Sequence, residues 1–538
     1  MSKTDWRRHR ARQRRGHTGW RRDEPRNARE AIDCLIEDEL GRRGFRPPLE
    51  KEARAAAERA EAASGRRRDL TELATFTVDP ATARDFDDAV SAERAGDGIR
   101  LWVHIADVAA HVAPGSLLDR EARGRANSTY APGTVEPMLP HALSSEACSL
   151  APGVDRLAVT AEIELTAGGE PGRASFYRSR IRSDARLDYD QLDLIFSGRE
   201  APPEAVAEPL AVAREAAAVL GERRGSTSLD VESAEPEFRF DSEGEPVAAH
   251  SVAQTESHRL IERLMILTNE AVARLLERKR VPAVYRVHGQ PDPPRVEHLI
   301  EQLADLEVPT PPLRGSLAPR EAGEVAAEAS RLVTKEATRR GHGREAYTSL
   351  VLRSLKQALY SERNSGHAGL GSPAYCHFTS PIRRYPDLVV HRALLAALSE
   401  GEQAPSIAQA RDAATHCSER ERESMRVERN ADDICAAFLL RRELGERGGE
   451  AAFEGEVSGV IRSGAFVLFG GELGDVYEGF LPARLVGGAE RFDLNETETA
   501  LVGGESGRKL RLGDPVAVRV SGIEAARGRV DLEPVEAS

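Results

Sequence analysis

The chain has 538 residues, 40% hydrophobic and 30% charged, with a formal net charge of −13; at about 150 residues per domain it should divide into two to four folded units. No apolar run approaches the roughly 18 residues of a membrane span, and the start, M-S-K-T-D-W-R-R-H-R-A-R-Q-R-R, lacks the apolar core of a secretory signal. Cys34, Cys148, Cys376, Cys417 and Cys435 are far apart with no C-x-x-C spacing, which points to free thiols in a reducing cytoplasm and away from a zinc site.

Residues 1–30 carry Lys3 and ten arginines against Asp5, Asp23, Glu24 and Glu30, with Trp6 and Trp20 interleaved. Such an arm can hold phosphates; a solvated tail is the alternative. Ala28 to Ala63 reads as helix with a break at Pro47-Pro48, too polar to join a core. From Leu73 the texture turns strand-like in T-F-T-V, I-R-L-W-V-H-I-A and L-A-V-T-A-E-I-E-L. Helical patterns follow at 205–223, 258–278, 293–306, 319–339, 346–360, 386–400 and 406–445, and strands followed by helices indicate an α+β domain. After Gly448-Gly449 five short strands separated by glycine turns, A-F-E-G-E-V-S-G-V, G-A-F-V-L-F, E-G-F-L-P, P-V-A-V-R-V-S-G-I and G-R-V-D-L-E, suit a small closed barrel of the OB type. The expected organisation is an arm and helical extension (1–69), a catalytic domain of mixed β-sheet with surrounding helices (70–447) and a five-stranded OB-fold barrel (448–538).

The stretch T-V-D-P-A-T-A-R-D-F-D-D-A-V (77–90) places Asp79, Asp85, Asp87 and Asp88 within ten residues. Like charges a few ångströms apart repel by roughly 1 kcal/mol per pair in water and more where solvent is excluded, so the cluster asks for a counter-ion. An all-oxygen donor set is hard and suits Mg²⁺, or Mn²⁺ in its place. Asp79 closes a strand that Pro80 breaks, which puts the other carboxylates on an irregular loop able to fold back on it; capping of a surface turn is the alternative. Two such cations activate a water and stabilise the leaving oxygen of a phosphodiester displacement. The second constellation is H-F-T-S-P-I-R-R-Y-P-D (377–387), where Pro381 and Pro386 frame a turn presenting Arg383 and Arg384, and a guanidinium fork suits a phosphate oxygen.

These two stretches, with W-V-H-I-A-D-V-A-A-H-V, G-S-L-L-D-R-E-A-R-G-R, Y-A-P-G-T-V-E-P-M-L-P, L-S-S-E-A-C-S-L-A-P-G-V-D-R-L-A, H-R-L-I-E-R-L-M-I-L-T-N and Y-R-V-H in the same order, resemble the RNase II/RNase R (RNB) exoribonucleases from about Leu70 to Gly445. The C-terminal stretch resembles the S1-type OB domain that follows in that family. The resemblance implies a monomeric, cytoplasmic hydrolase that degrades single-stranded RNA processively from the 3′ end to nucleoside 5′-monophosphates, with Mg²⁺ at the bottom of a channel. It implies Asp79, Asp85 and Asp88 as metal ligands, Asp87 as the essential carboxylate near the attacking water and also within the metal cluster, Arg383 on the scissile phosphate with Arg384 beside it, and Tyr189 as the aromatic clamp on the 3′-terminal base. Stacking accepts any base, which permits indifference to sequence.

Tyr285 and His288 of Y-R-V-H are expected either in the channel or in the core, His104 and Asp107 in support of the site, Phe466 and Phe480 on the base-stacking face of the barrel, and Phe453 and Phe469 in its core. Pro482 and Ala483 stand where related barrels often carry a His. Two cold-shock domains usual in bacterial relatives and the lysine-rich tail of RNase R find no counterpart, and the arginine arm is expected to substitute in part. The competing readings are a silent RNB-like RNA-binding regulator, which the presence of all four aspartates and Arg383 opposes, and an endonuclease or DNA-directed enzyme using the same metals.

Overall fold

The central sheet is built mainly of antiparallel strands and is buried most fully along Gly98–Ala106 at its middle. The computed structural model describes residues 25–62, 67–224, 235–252, 254–313, 315–447, 451–471, 474–488 and 490–535; the arm up to residue 24 lies outside them. The sheet comprises β1 (Arg68–Asp69), β2 (Phe76–Asp79), β3 (Asp88–Ala95), β4 (Gly98–Ala106), β7 (Asp155–Leu165), β8 (Pro171–Arg182) and β9 (Ala185–Asp188), in the order β1-β8-β7-β4-β3-β2-β9. A hairpin of β5 (Thr129–Ala131) and β6 (Thr134–Glu136) stands apart from it. All neighbours are antiparallel except the edge pairs β1/β8 and β2/β9.

A hydrogen-bonded row of side chains crosses this sheet from strand to strand. Thr75 Oγ1 meets Ser91 Oγ at 2.8 Å, Ser91 meets His104 Nε2 at 3.2 Å, His104 Nδ1 meets Thr160 Oγ1 at 2.9 Å, and Thr160 meets Ser179 Oγ at 2.6 Å. Burial pushes the His104 imidazole down to about 3, so it is neutral and serves as a linker. Asp107, at the end of β4, is fully buried between Arg67 (2.7 Å) and Arg178 (2.9 Å). Burial alone would raise its proton affinity, but the two guanidiniums hold its carboxyl below the ordinary range.

The helices are α1 (Ala28–Leu40), α2 (Pro47–Ala62), α3 (Leu117–Arg125), α4 (Tyr189–Phe196), α5 (Ala207–Arg224), α6 (Glu256–Lys279), α7 (Tyr385–Ala397) and α8 (Ile407–Arg447), with an outer group at Pro293–Asp305, Pro319–Arg340 and Arg344–Ser354. The expectation that 28–63 stays out of the core is corrected. α1 buries Ala28, Ala31, Ile32 and Ile36, and α2 buries Leu49, Ala53, Ala56 and Ala60; alanine on one face lets a polar helix sit close against a core. Pro47 opens α2, as suits a residue whose missing N–H would be unpaired there. The helix expected over 346–360 stops at Ser354, and Leu359–Ser361 is a strand paired with Tyr285–Val287.

The 41 residues of α8 run roughly 60 Å and join two cores. Its first half adds Ala410, Ala413, Ala414 and Cys417 to the core beneath the sheet; its second half packs Phe438 and Leu440 with Phe453, Phe469, Tyr477 and Leu532 of the C-terminal barrel. The barrel strands β10 (Ala452–Ile461), β11 (Gly464–Gly471), β12 (Gly474–Pro482), β13 (Pro515–Glu524) and β14 (Arg529–Pro534) close in the order β10-β11-β12-β14-β13, with β12 and β14 parallel. The chain is thus α+β with a five-stranded OB-type barrel. Between β12 and β13 a three-stranded sheet (492–494, 500–503, 509–511) is a feature the sequence patterns did not reveal. The five cysteines are free thiols, and no helix among the described residues is long and apolar enough to cross a membrane.

Candidate active site

Asp79 is delivered by the end of β2, and Asp88 opens β3 opposite Ile105. The expected loop is therefore shorter than the acidic stretch, with its last carboxylate on a strand. Its course is fixed from three sides. Arg186 of β9 donates to the carbonyls of Pro80 (3.0 Å) and Ala81 (2.7 Å); the Phe86 N–H donates to Ser149 Oγ (3.0 Å), and that hydroxyl donates to the Arg84 carbonyl (2.9 Å). The Asp87 carbonyl accepts from the Ala106 N–H at 2.9 Å.

The arginine turn is held as firmly. Asn269 of α6 accepts from the Phe378 N–H at 2.8 Å, and Asp387 Oδ1 accepts from both the Ser380 N–H and Arg384 Nη2, each at 2.8 Å. The Ser128 N–H donates to the Arg383 carbonyl (2.9 Å) and the Tyr385 N–H to the Ala126 carbonyl (2.8 Å). The two constellations then meet across 295 residues of sequence: the Ile382 N–H donates to Asp87 Oδ1 at 2.8 Å, and Arg383 Nε stands 3.5 Å from Asp87 Oδ2. Asp87 is sealed while the Arg383 side chain is 45% exposed, so the carboxylate lies at the floor and the guanidinium reaches into solvent above it.

Burial pushes Asp79 up to about 8, helped by the charges of Asp88 and Asp85 and opposed by Arg383 and Arg186. Burial likewise raises Asp88 to about 6 against Arg383 and Arg384, and lifts Asp87 well above the ordinary range against Arg383 and the Ile382 amide. Arg384 runs the other way: burial would lower it, but Asp387 and Tyr360 hold it above the usual arginine value.

Among the described residues no three His, Cys, Asp or Glu side chains form a finished metal cage. The donor chemistry nevertheless fits a hard divalent cation. Buried Oδ2 atoms of Asp79 and Asp87 have no hydrogen-bond partner, and clustered carboxylates that retain protons for want of countercharge are what a cation relieves. With Asp79 and Asp88 raised above their ordinary 3.8, these two groups contribute stability to the metal-free protein that is lost as pH rises between about pH 4 and pH 8, while the buried His104, His111, His367 and His391, held down at about 3 to 4, act in the opposite sense up to about pH 6.5. Mg²⁺ held by these carboxylates would favour their deprotonated form, so any stabilisation by it should grow over the same window. The gap between melting temperatures with Mg²⁺ and with EDTA should widen from about pH 5 to about pH 8; a gap that stays constant or narrows contradicts this account.

Tyr189, the first residue of α4, lies within electrostatic reach of Asp88 and Asp79, whose charges add to burial in raising its hydroxyl's proton affinity. One face of its ring is stacked on His258, centroids 4.0 Å apart and planes 11° from parallel. Tyr130 was not singled out in the sequence, yet its hydroxyl donates to Asp85 Oδ2 at 3.0 Å from the β5–β6 hairpin. The residue as a whole is 39% exposed, while burial of its hydroxyl, with the charge of Asp85, raises that group's proton affinity.

The remaining expected residues lie elsewhere. Tyr285 is in the core, on the strand paired with 359–361. His288 uses both ring nitrogens, Nε2 with the Lys356 carbonyl (2.7 Å) and Nδ1 with the Gly369 N–H (3.0 Å). A run of edge-on rings, His288, His367, Tyr375, His377 and Tyr360, leads from there toward the arginine turn, where His377 Nδ1 meets Tyr360 Oη at 2.9 Å. Phe466 and Phe480 face each other across β11 and β12 at 5.3 Å but are under a tenth exposed, while Phe453 and Phe469 pack in the barrel core as expected.

An α+β body with an acidic floor under an arginine turn, followed by an OB-type barrel, defines the class of protein. The RNB domain family model matches residues 67–400, and the chain belongs to that family. Ribonuclease R of Aquifex aeolicus (strain VF5) is 36% identical over 88% of this chain and 65% of its own length; ribonuclease R of Escherichia coli (strain K12) is 35% identical over 88% and 58%. The chain thus spans about three-fifths of these curated relatives. A solved structure of Mycoplasma genitalium RNase R in complex with ribose-methylated single-stranded RNA superposes with a TM-score of 0.84 at 27% identity, covering 95% of this chain and 78% of that one.

Proposed function

We propose that the protein is an exoribonuclease that hydrolyses single-stranded RNA processively from its 3′ end to nucleoside 5′-monophosphates. The observation that carries this reading is the joint between Asp87 and the Ile382–Arg383 turn, which sets a buried carboxylate floor against a guanidinium open to a phosphate. The names of the related ribonucleases R and the single strand bound by the Mycoplasma enzyme support it.

Asp79, Asp85, Asp87 and Asp88 would hold Mg²⁺, or Mn²⁺ in its place, which when bound supplies a polarised water and charge neutralisation at the phosphate. Arg383 orients the scissile phosphate and stabilises charge that grows on its oxygens, being already aimed by Asp87 and Ser380 Oγ. Arg384 is spent on Asp387 and keeps the turn in place. Tyr130 orients Asp85, and Tyr189, with one face covered by His258, offers the other to the terminal base.

Digestion of 5′-labelled single-stranded RNA with Mg²⁺ tests the proposal. A ladder descending to a short limit product is expected, and blocking the 3′ end should remove it. Internal cuts at early times indicate an endonuclease instead, and binding without products indicates a silent RNA-binding relative.

A further inference from the structure

Two consecutive residues of α6 hold Tyr189 from behind. Tyr189 follows Asp188, whose carboxylate accepts from the Gln191 N–H at 2.8 Å and so starts α4. In the parallel pair β2/β9 Asp188 stands opposite Asp79, which sets Tyr189 one residue beyond the end of that ladder, within electrostatic reach of Asp88 and Asp79. Ser257 Oγ donates to the Tyr189 carbonyl at 3.3 Å, and the His258 imidazole lies parallel to the phenol ring with centroids 4.0 Å apart.

The imidazole is itself fixed. Thr255 occupies the N-cap of α6, where a hydroxyl ordinarily accepts from a backbone N–H of the first turn; here its side chain makes no such bond. It meets His258 Nδ1 at 2.8 Å and Ser257 Oγ at 2.7 Å instead. The cap is thus given over to the two side chains that touch Tyr189. Burial, against the charges of Asp193 and Asp190, lowers the proton affinity of His258, so the neutral ring predominates at neutral pH.

A phenol side chain turns about two bonds, and a base stacks well only on a ring whose plane is already set. Any apolar side chain behind Tyr189 would fill the space, but only a flat ring tied at one end also sets the plane. The demand on this support grows as the substrate shortens. A long strand is held at several places at once, a short one chiefly by its terminal base and phosphate, so a slack clamp weakens the short strand most.

We propose that His258 is a positioning residue that fixes the plane of Tyr189 for the 3′-terminal base and thereby sets how short a strand the enzyme still holds and degrades. The proposal rests on the exoribonuclease reading with Tyr189 as its base clamp, and gives that clamp a second ring.

The test is digestion of 5′-labelled single-stranded RNA by the full chain with Mg²⁺, reading the length of the limit product, together with kcat and KM on a short oligonucleotide and on a long strand. His258→Ala should stop at a longer product and raise KM on the short oligonucleotide roughly three- to tenfold, as for a partly lost stack, with a smaller rise on the long strand. His258→Phe restores a flat ring and should regain most of the wild-type product length, whereas His258→Leu, with bulk but no plane, should not. In a Tyr189→Ala background His258→Ala should change neither readout further. An unchanged product length in His258→Ala overturns the proposal. So does rescue by leucine equal to that by phenylalanine, or an equal loss on long and short strands with a lower melting temperature, since each marks packing and not a stacking plane. A wild-type protein that gives no descending ladder sinks the exoribonuclease reading itself, so the two failures are distinguishable.

Discussion

Asp87→Asn should lower turnover on single-stranded RNA on the order of 10³-fold or more while changing RNA affinity little. Asparagine keeps the shape and the acceptor for the Ile382 N–H, so the turn that carries Arg383 stays where it is. What is lost is a negative charge beneath the reacting phosphate, and removing an interaction that matters chiefly in the transition state lowers the rate at saturation more than ground-state binding. Folding should not suffer. The wild-type carboxylate carries a large desolvation penalty, and its neutral amide replacement does not, so the metal-free variant should melt no lower than the parent. Single-turnover rates at saturating RNA, beside Kd measured in EDTA, separate these effects. A variant that binds poorly yet turns over normally when saturated would remove Asp87 from the chemistry.

Much of this site was legible in the sequence because its chemistry is local in the chain. Four carboxylates within ten residues and two arginines between prolines announce themselves by residue type. Their meeting was legible only through the order of surrounding motifs, since spacing says nothing about a contact across 295 residues. The backbone at Asp88 escaped because a strand beginning inside an acidic run shows no alternation until Ala89 and Val90 are buried behind it. Tyr130 escaped because Y-A-P-G reads as a turn, and only the tertiary placement of the hairpin brings its hydroxyl to Asp85. The barrel strands were readable because glycines separate short apolar runs, whereas the strands inserted between β12 and β13 are three or four residues each, too short to set up a period. The helices before the sheet misled because hydrophobicity was weighed without size: Ala53, Ala56 and Ala60 supply little apolar surface but permit close approach.

The site's electrostatics also explain why its two halves belong together. An acidic floor alone would hold protons at neutral pH and bind no anion; an arginine turn alone would hold phosphate without activating anything. Facing each other, the cationic turn draws Asp87 and Asp88 back toward ionisation, and the carboxylates keep the arginine aimed. The polar row through His104 and the buried Asp107 cluster sit in the same sheet, behind the strands that deliver Asp79 and Asp88, and stiffen the platform on which that balance depends.

Arg383→Ala should therefore act twice. The direct loss is a donor that strengthens as charge builds on the phosphate oxygens, which for one such group lowers the rate by about 10²- to 10³-fold. The indirect loss falls on the floor: Arg383 opposes the upward shifts of Asp79, Asp87 and Asp88, so without it the carboxylates cling to their protons and the rising limb of the pH–rate profile moves to higher pH. More Mg²⁺ should also be needed at a given pH, because the cation must displace protons that are held more tightly. Arg383→Lys retains the charge without the fork, and should restore the pH limb further than it restores the rate. The profile of kcat against pH for the three proteins, taken at several Mg²⁺ concentrations, reads both effects at once. A uniform drop in rate with the limb unmoved would leave Arg383 as a phosphate ligand only and break the electrostatic link to the carboxylates below it.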